Sequence, residues 1–377
     1  MRLKASPRMS GIAMAGAVLC ATVAVWAGSE KPSEPQRAAS PAAPRPAAPP
    51  PADFVPYVSA WAGSRYDMPA AAARGIKEFT LGFVVSGDGC APAWDSGIPF
   101  DDPALTARIE ATRRAGGDVR ISFGGADGTE LATACEDASQ LAAAYTEVIE
   151  RYGIIRADFD IEGDALDDAA ATARRAQAIA LVQRTHEGLN VSFTLPAMPD
   201  GLTPDALAQL TAARQEGVTV SSVNVMAMNY SGDHTGDMGQ YAIQAATAAH
   251  EKVRGVLGLS DAAAWKTLAV TPMIGVNDVT GEVFTLEDAA GLARFAARKG
   301  IGRLSMWSAE RDRPCAREDA GADDTGSDTD ADTDADTDSG TGDSGAAAPE
   351  QPAATAPSTS CSGIPQRLGA FEAALSG

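Results

Sequence analysis

Three histidines in 377 residues is a small supply. His186, His234 and His250 fall in helical or loop positions, away from the ends of the strands read below, so an imidazole metal site has few members to draw on. No two cysteines stand at Cys-x-x-Cys spacing, which removes the usual thiolate cage as well. Ser122 has no Gly-x-Ser-x-Gly elbow around it and no well-placed histidine, so serine nucleophile chemistry is not expected. No glycine-rich phosphate turn follows an early strand at the right spacing. Positive charge is also short: 30 Lys and Arg face 50 Asp and Glu, a formal net charge of −20 that argues against nucleic acid as a partner.

The chain opens with Arg2, Lys4 and Arg8, followed by an uncharged, largely apolar run from Gly11 to Ala27. Val25-Trp26-Ala27 before Gly28 resembles a small-residue cleavage site, so residues 1–27 are expected to be a secretory signal peptide and the protein to be secreted. The run is borderline in length for an uncleaved membrane anchor, the alternative reading. Residues 28–52 are rich in Pro, Ala and Ser without apolar periodicity and read as a linker. With Cys20 removed, Cys90, Cys135, Cys315 and Cys361 remain, an even number suited to an oxidising compartment and open to three pairings.

From Phe54 onward, strand-like apolar runs alternate with helical patterns. The strands are read at 54–61, 79–85, 119–123, 157–161, 191–195, 222–228, 268–274 and 303–307. Helices follow at 68–75, 104–115, 139–151, 168–186, 204–216, 238–253, 286–299 and 364–375, with Asp137, Thr203 and Thr285 as N-caps. Eight strands each followed by a helix predict an α/β fold, a (β/α)8 TIM barrel over residues 53–377, with a doubly wound open sheet as the rival. In that barrel the pairs Cys90–Cys135 and Cys315–Cys361 join neighbouring loops. Eleven of the fifty acids lie between Glu318 and Asp343, between strand eight and the last helix. Residues 317–360 are therefore expected to form a disordered acidic insertion. A calcium loop is the sharper alternative, but Ser339 and Gly345 stand where the EF-hand pattern needs Gly and Glu.

Residues 157–163 read Ala-Asp-Phe-Asp-Ile-Glu-Gly. In a strand, Asp158, Asp160 and Glu162 share one face while Phe159 and Ile161 share the other. Three acids on a buried face are costly unless paired, protonated or used. Such a ladder could hold a divalent metal, or it could tune one carboxyl as a general acid, since like charges at this spacing cannot all ionise. Glu162, at the C-terminal end of the fourth strand, is the member that would reach a substrate.

These residues resemble glycoside hydrolase family 18, the chitinases, whose fourth strand carries Asp-x-x-Asp-x-Asp-x-Glu. This chain matches the last three acids, together with Ser122-Phe123-Gly124-Gly125, Met226-Ala227-Met228-Asn229-Tyr230 and Met306-Trp307. The likeness covers about residues 54–312 and 361–375, and is nearest to secreted actinobacterial and bacillary members. It implies substrate-assisted hydrolysis of β-1,4-linked N-acetylglucosamine polymers with retention. Glu162 would then be the acid, Asp160 would hold the acetamido N–H, and Asp158 would share the Asp160 proton. Tyr230 and Asn229, beside Met228, would position the acetyl carbonyl. Trp307 would floor the pocket, while Trp61 and Trp94 are either sugar platforms near the rim or loop packing. The expected partner is chitin or its oligosaccharides, bound by a monomer without metal or organic cofactor. Two rivals stay open: an endo-β-N-acetylglucosaminidase acting on N-glycans, and a non-catalytic chitin-binding lectin. Ile155 replaces the motif's first Asp, and Asn229 stands where close relatives usually carry Asp.

Overall fold

Sixteen elements of the expected barrel appear in a computed structural model that describes residues 52–61, 64–315 and 357–377. The expected signal peptide, all of the linker except Ala52, and the acidic run 328–338 lie outside the described residues. Strand β1 comes in two segments, Asp53–Phe54 and Tyr57–Ser59. It is followed by β2 (Glu78–Ser86), β3 (Asp118–Gly124), β4 (Arg156–Asp160), β5 (Asn190–Met198), β6 (Val220–Ala227), β7 (Leu268–Pro272) and β8 (Arg303–Leu304). The helices that follow them are α1 (Met68–Arg74), α2 (Pro103–Arg114), α3 (Ala138–Tyr152), α4 (Ala169–Thr185), α5 (Pro204–Gln215), α6 (Met238–Leu257), α7 (Leu286–Lys299) and α8 (Ala370–Ser376).

All eight strands run parallel, and the break in β1 closes the ring. Asp53 and Phe54 pair with Arg303 and Leu304 of β8, whereas Tyr57 to Ser59 pair with Thr80 to Gly82 of β2. Pro56 sits at the changeover, where its missing N–H costs no ladder bond, and its carbonyl accepts from Thr80 N at 3.0 Å. A barrel, not the open sheet, is the outcome.

Period-two alternation then divides the strand side chains. Phe123, Phe159 and Phe193 sit on adjacent strands and pack in a row, centroids 5.3 and 5.8 Å apart, with Tyr145 of α3 edge-on at 4.9 and 5.1 Å. The alternate residues point into the barrel. Register places Ser122 beside Asp158, Asp158 beside Ser192, and Asp160 beside Thr194. The same alternation therefore builds both the apolar layer under the helices and a polar barrel interior.

The expected caps form: Asp137 accepts from Ser139 N and Gln140 N, Thr203 from Ala206 N, and Thr285 and Asp288 make a capping box. The last helix is shorter than the expected 364–375. Pro365 disfavours helical backbone at Ile364, and helix α8 starts only after Gly369, where the Asp312 carboxylate accepts from Phe371 N and Glu372 N at 3.0 and 2.8 Å. Both expected disulfides, Cys90–Cys135 and Cys315–Cys361, are formed.

Candidate active site

The three acids of β4 occupy different environments. Asp158 is deepest, 1% exposed, and its oxygens face hydroxyls on every side. Tyr57 Oη donates to it at 3.1 Å, Ser122 Oγ at 2.7 Å, Thr194 Oγ1 at 2.9 Å, and Ser192 Oγ also donates. A second set of polar side chains braces these hydroxyls from the side. Thr271 donates to Asn224 Oδ1 at 2.8 Å, which turns the Asn224 amide toward Thr194 Oγ1 and Tyr57 Oη, at 3.1 and 3.3 Å. Tyr57 Oη and Thr194 Oγ1 are also hydrogen-bonded to each other at 2.8 Å, so the two hydroxyls, Asn224 and Asp158 form one network. Arg120 Nη1 supports the set from below through Ser192 Oγ at 3.1 Å.

Asp160 is met differently. It is 3% exposed and its Oδ1 has no hydrogen-bond partner. Burial holds its carboxyl well above the ordinary carboxylate range, and the charges of Glu162 and Asp158 add to this. A side-chain hydrogen bond between Asp160 and Glu162 raises the Asp160 carboxyl further. Glu162, just beyond the end of β4, is also raised by burial; the hydrogen bond from Asp160 opposes this and the charge of Asp127 adds to it. Both carboxyls therefore give up their protons less readily than exposed ones do.

Two glycines let the third strand come this close. A Cβ on Gly124 would stand 2.0 Å from the Asp160 carbonyl, which accepts from Gly125 N at 2.9 Å, and a Cβ on Gly125 would meet the Phe83 ring at 2.7 Å. A side chain at Gly124 would push β3 away from β4, and one at Gly125 would displace the Phe83 ring of β2.

The ladder opens into a cleft of about 430 Å³ at the C-terminal ends of the strands, a size typical of small-molecule sites. Trp307 lines it, its ring 5.5 Å from Phe83 and 5.8 Å from Tyr57. The peptides Gly82–Phe83 and Trp307–Ser308 at this mouth are cis. Met228 and Asn229 line the cleft too. Asn229 uses both ends of its amide on the loop after β7: Nδ2 donates to Asp278 Oδ2 at 2.9 Å and Oδ1 accepts from Asp278 N at 3.0 Å.

Two expected site residues lie elsewhere. Tyr230 is buried with its ring against His234 and Tyr241 and does not line the cleft. The cause is Asn229, whose φ of +51° breaks the strand alternation and turns the next side chain away. Trp61 is 54% exposed and stands outside the cleft lining. Trp94 is no platform either, being buried with Nε1 donating to Tyr152 Oη at 2.9 Å. Ile155, at the position of the motif's first Asp, is exposed and does not line the cleft.

Sequence reading missed one wall. Pro357, Ser358 and Thr359, assigned to the acidic insertion, line the cleft, so the expected boundary at 360 is too late. Buried Arg311 donates to the carbonyls of Ile274 at 2.9 Å, Val276 at 2.5 Å and Ser358, tying the loop after β7 to this returning segment. It also missed Tyr57, Ser192, Thr194, Asn224 and Thr271. Their signal was the inward alternation of Ser192-x-Thr194 and Ser222-x-Asn224-x-Met226.

No protein-family model matches this chain. Over 277 residues, 69% of its length, it is 36% identical to a probable bifunctional chitinase/lysozyme of Escherichia coli (strain K12). It is 35% identical over 280 residues, 70% of its length, to Endochitinase 11 of Metarhizium anisopliae. The chain spans 31% and 53% of the length of those two relatives. Active domain 2 of the thermostable chitinase of Pyrococcus furiosus, solved with chito-oligosaccharides, is 29% identical and matches with a TM-score of 0.69, over 87% of this chain and 95% of that one. Fold and site together define a (β/α)8 barrel with a carboxylate ladder at its mouth. That fold is the one of family 18 chitinase catalytic domains.

Proposed function

We propose that the protein hydrolyses β-1,4-linked N-acetylglucosamine polymers, chiefly chitin, with retention. The observation that carries this is the neighbouring Asp160 and Glu162 carboxyls lining the mouth of the cleft, both pushed up by burial. Binding an acetamido N–H requires Asp160 to accept, so its proton passes to Glu162, the carboxyl placed to protonate a glycosidic oxygen. The substrate's own acetyl oxygen then attacks the anomeric carbon. The glycosidic C–O bond breaks, the leaving sugar keeps the proton, and water later opens the oxazolinium as Glu162 takes a proton back. Trp307 offers its face to the apolar face of the sugar ring.

The names of the relatives favour chitin over N-glycans. The presence of Glu162 favours an enzyme over a lectin. Export as a secreted protein, of the actinobacterial and bacillary kind, fits the basic and apolar start of the chain and the two disulfides.

Colloidal chitin and a high-mannose glycoprotein, digested side by side and read by mass spectrometry, test the reading. Wild type is expected to release chito-oligosaccharides from the first only. Glu162→Gln should lose roughly 10²- to 10⁴-fold or more in turnover while still binding oligosaccharide. Undiminished turnover by that variant would exclude Glu162 as the acid.

A further inference from the structure

A second cavity of about 730 Å³ lies at the opposite pole, where the strands begin. Six cationic side chains line it (Arg74, Lys77, Arg120, Arg156, Lys266 and Arg303) against three carboxylates, Asp53, Glu78 and Glu372. This is a positive basin in a chain of net charge −20. Arg74 and Glu372 pair with each other at 2.9 Å. Glu78 is shared by three guanidiniums: Arg120 Nε at 2.8 Å, Arg156 Nε at 2.9 Å and Arg303 Nη1 at 3.7 Å. Only Arg156 has a further carboxylate, Asp118 at 2.7 Å.

An ion cluster that merely ties strands together needs its charges balanced, because uncompensated buried charge is costly. This one is not balanced, and arginine does not shed its proton near neutrality. Burial, with the charge of Arg303 beside it, pushes the Arg120 guanidinium down to about 10 despite Glu78. Lys77 and Lys266 stand exposed at the rim, where they add to the attraction of an approaching anion.

We propose that this cavity binds a multivalent oxyanion of the phosphate class, held by the guanidinium forks that Glu78 and Asp118 together leave under-neutralised. The site stands apart from the cleft and does not depend on the glycosidase reading.

Titration calorimetry and thermal denaturation of the full chain with orthophosphate and pyrophosphate, against sodium chloride at matched ionic strength, test this. Saturable binding and a rise in Tm specific to the phosphates are expected, since a ligand of the native state stabilises it. Pyrophosphate should bind more tightly than orthophosphate. Arg303→Gln should weaken binding roughly tenfold or more, the loss expected for one charge-assisted contact. The exposed pair Lys77→Glu/Lys266→Glu, which leaves the buried cluster untouched, should weaken it as well. Absence of saturable heat with no shift beyond that of chloride, or unchanged binding in the rim variant, would overturn the site.

Discussion

The two poles of the barrel carry opposite charge problems and resolve them by different means. At the mouth, Asp158, Asp160 and Glu162 crowd negative charge on one strand, and among the described residues neither Asp160 nor Glu162 sits in an ion pair. Carboxyls can relieve such crowding by keeping a proton, which leaves a proton ready for transfer. At the floor, three guanidiniums crowd around Glu78. Arginine has no such relief, so the remedy has to be an anion from outside. Crowded acids suit proton transfer, whereas crowded arginines suit anion binding.

Crossed substitutions would break or sharpen this contrast. The largest effect is expected for Asp160→Asn, which should lower turnover by roughly 10²- to 10⁴-fold. Stability should hold or rise in the same variant, because a buried, charge-crowded carboxyl has been removed. Glu78→Gln should do the reverse. Stripping buried Arg120 and its partly buried neighbours Arg156 and Arg303 of their shared partner should destabilise the fold, by up to about 3 kcal/mol read by urea denaturation, and leave turnover per folded molecule unchanged. If both variants lost activity and stability alike, the poles would not be separable.

A smaller effect is expected at Asn229. Aspartate there would set a carboxylate oxygen where the amide now donates to Asp278 at 2.9 Å. Asn229→Asp should raise KM at neutral pH by loosening the loop at Asp278 and Val279. The defect should fade in acid, where the new pair holds a proton between its members. A KM that does not respond to pH would detach Asn229 from this role.

Much of this architecture was legible in the sequence because it follows from local rules. Alternation of apolar runs with capped helices located eight strands and eight helices, and period two put Asp158, Asp160 and Glu162 on one face before any neighbour was known. Tyr230 was assigned to the site by the family resemblance alone, and it is buried outside the cleft lining. A single left-handed residue, Asn229, ends the alternation, and its backbone angle is not written in the residue type. The hydroxyls around Asp158 come from β1, β3 and β5, and the Arg311 wall joins Ile274 to Ser358. Such contacts depend on register and loop closure across long separations, which a linear pattern does not encode.

Carbon-13 NMR titration of the side-chain carboxyls of Asp160 and Glu162 tests the central claim most directly. The folded-state values are raised, so the pair should keep one proton at pH values where exposed carboxyls, with ordinary values near 4, are already ionised. General-acid activity should be present below the last ionisation of the pair and vanish as pH rises through it. Asp127→Asn should move that ionisation to lower pH, because the Asp127 charge helps to hold the Glu162 proton. A spectrum in which both carboxyls ionise together with the exposed acids would contradict the retained proton and the catalytic role built on it.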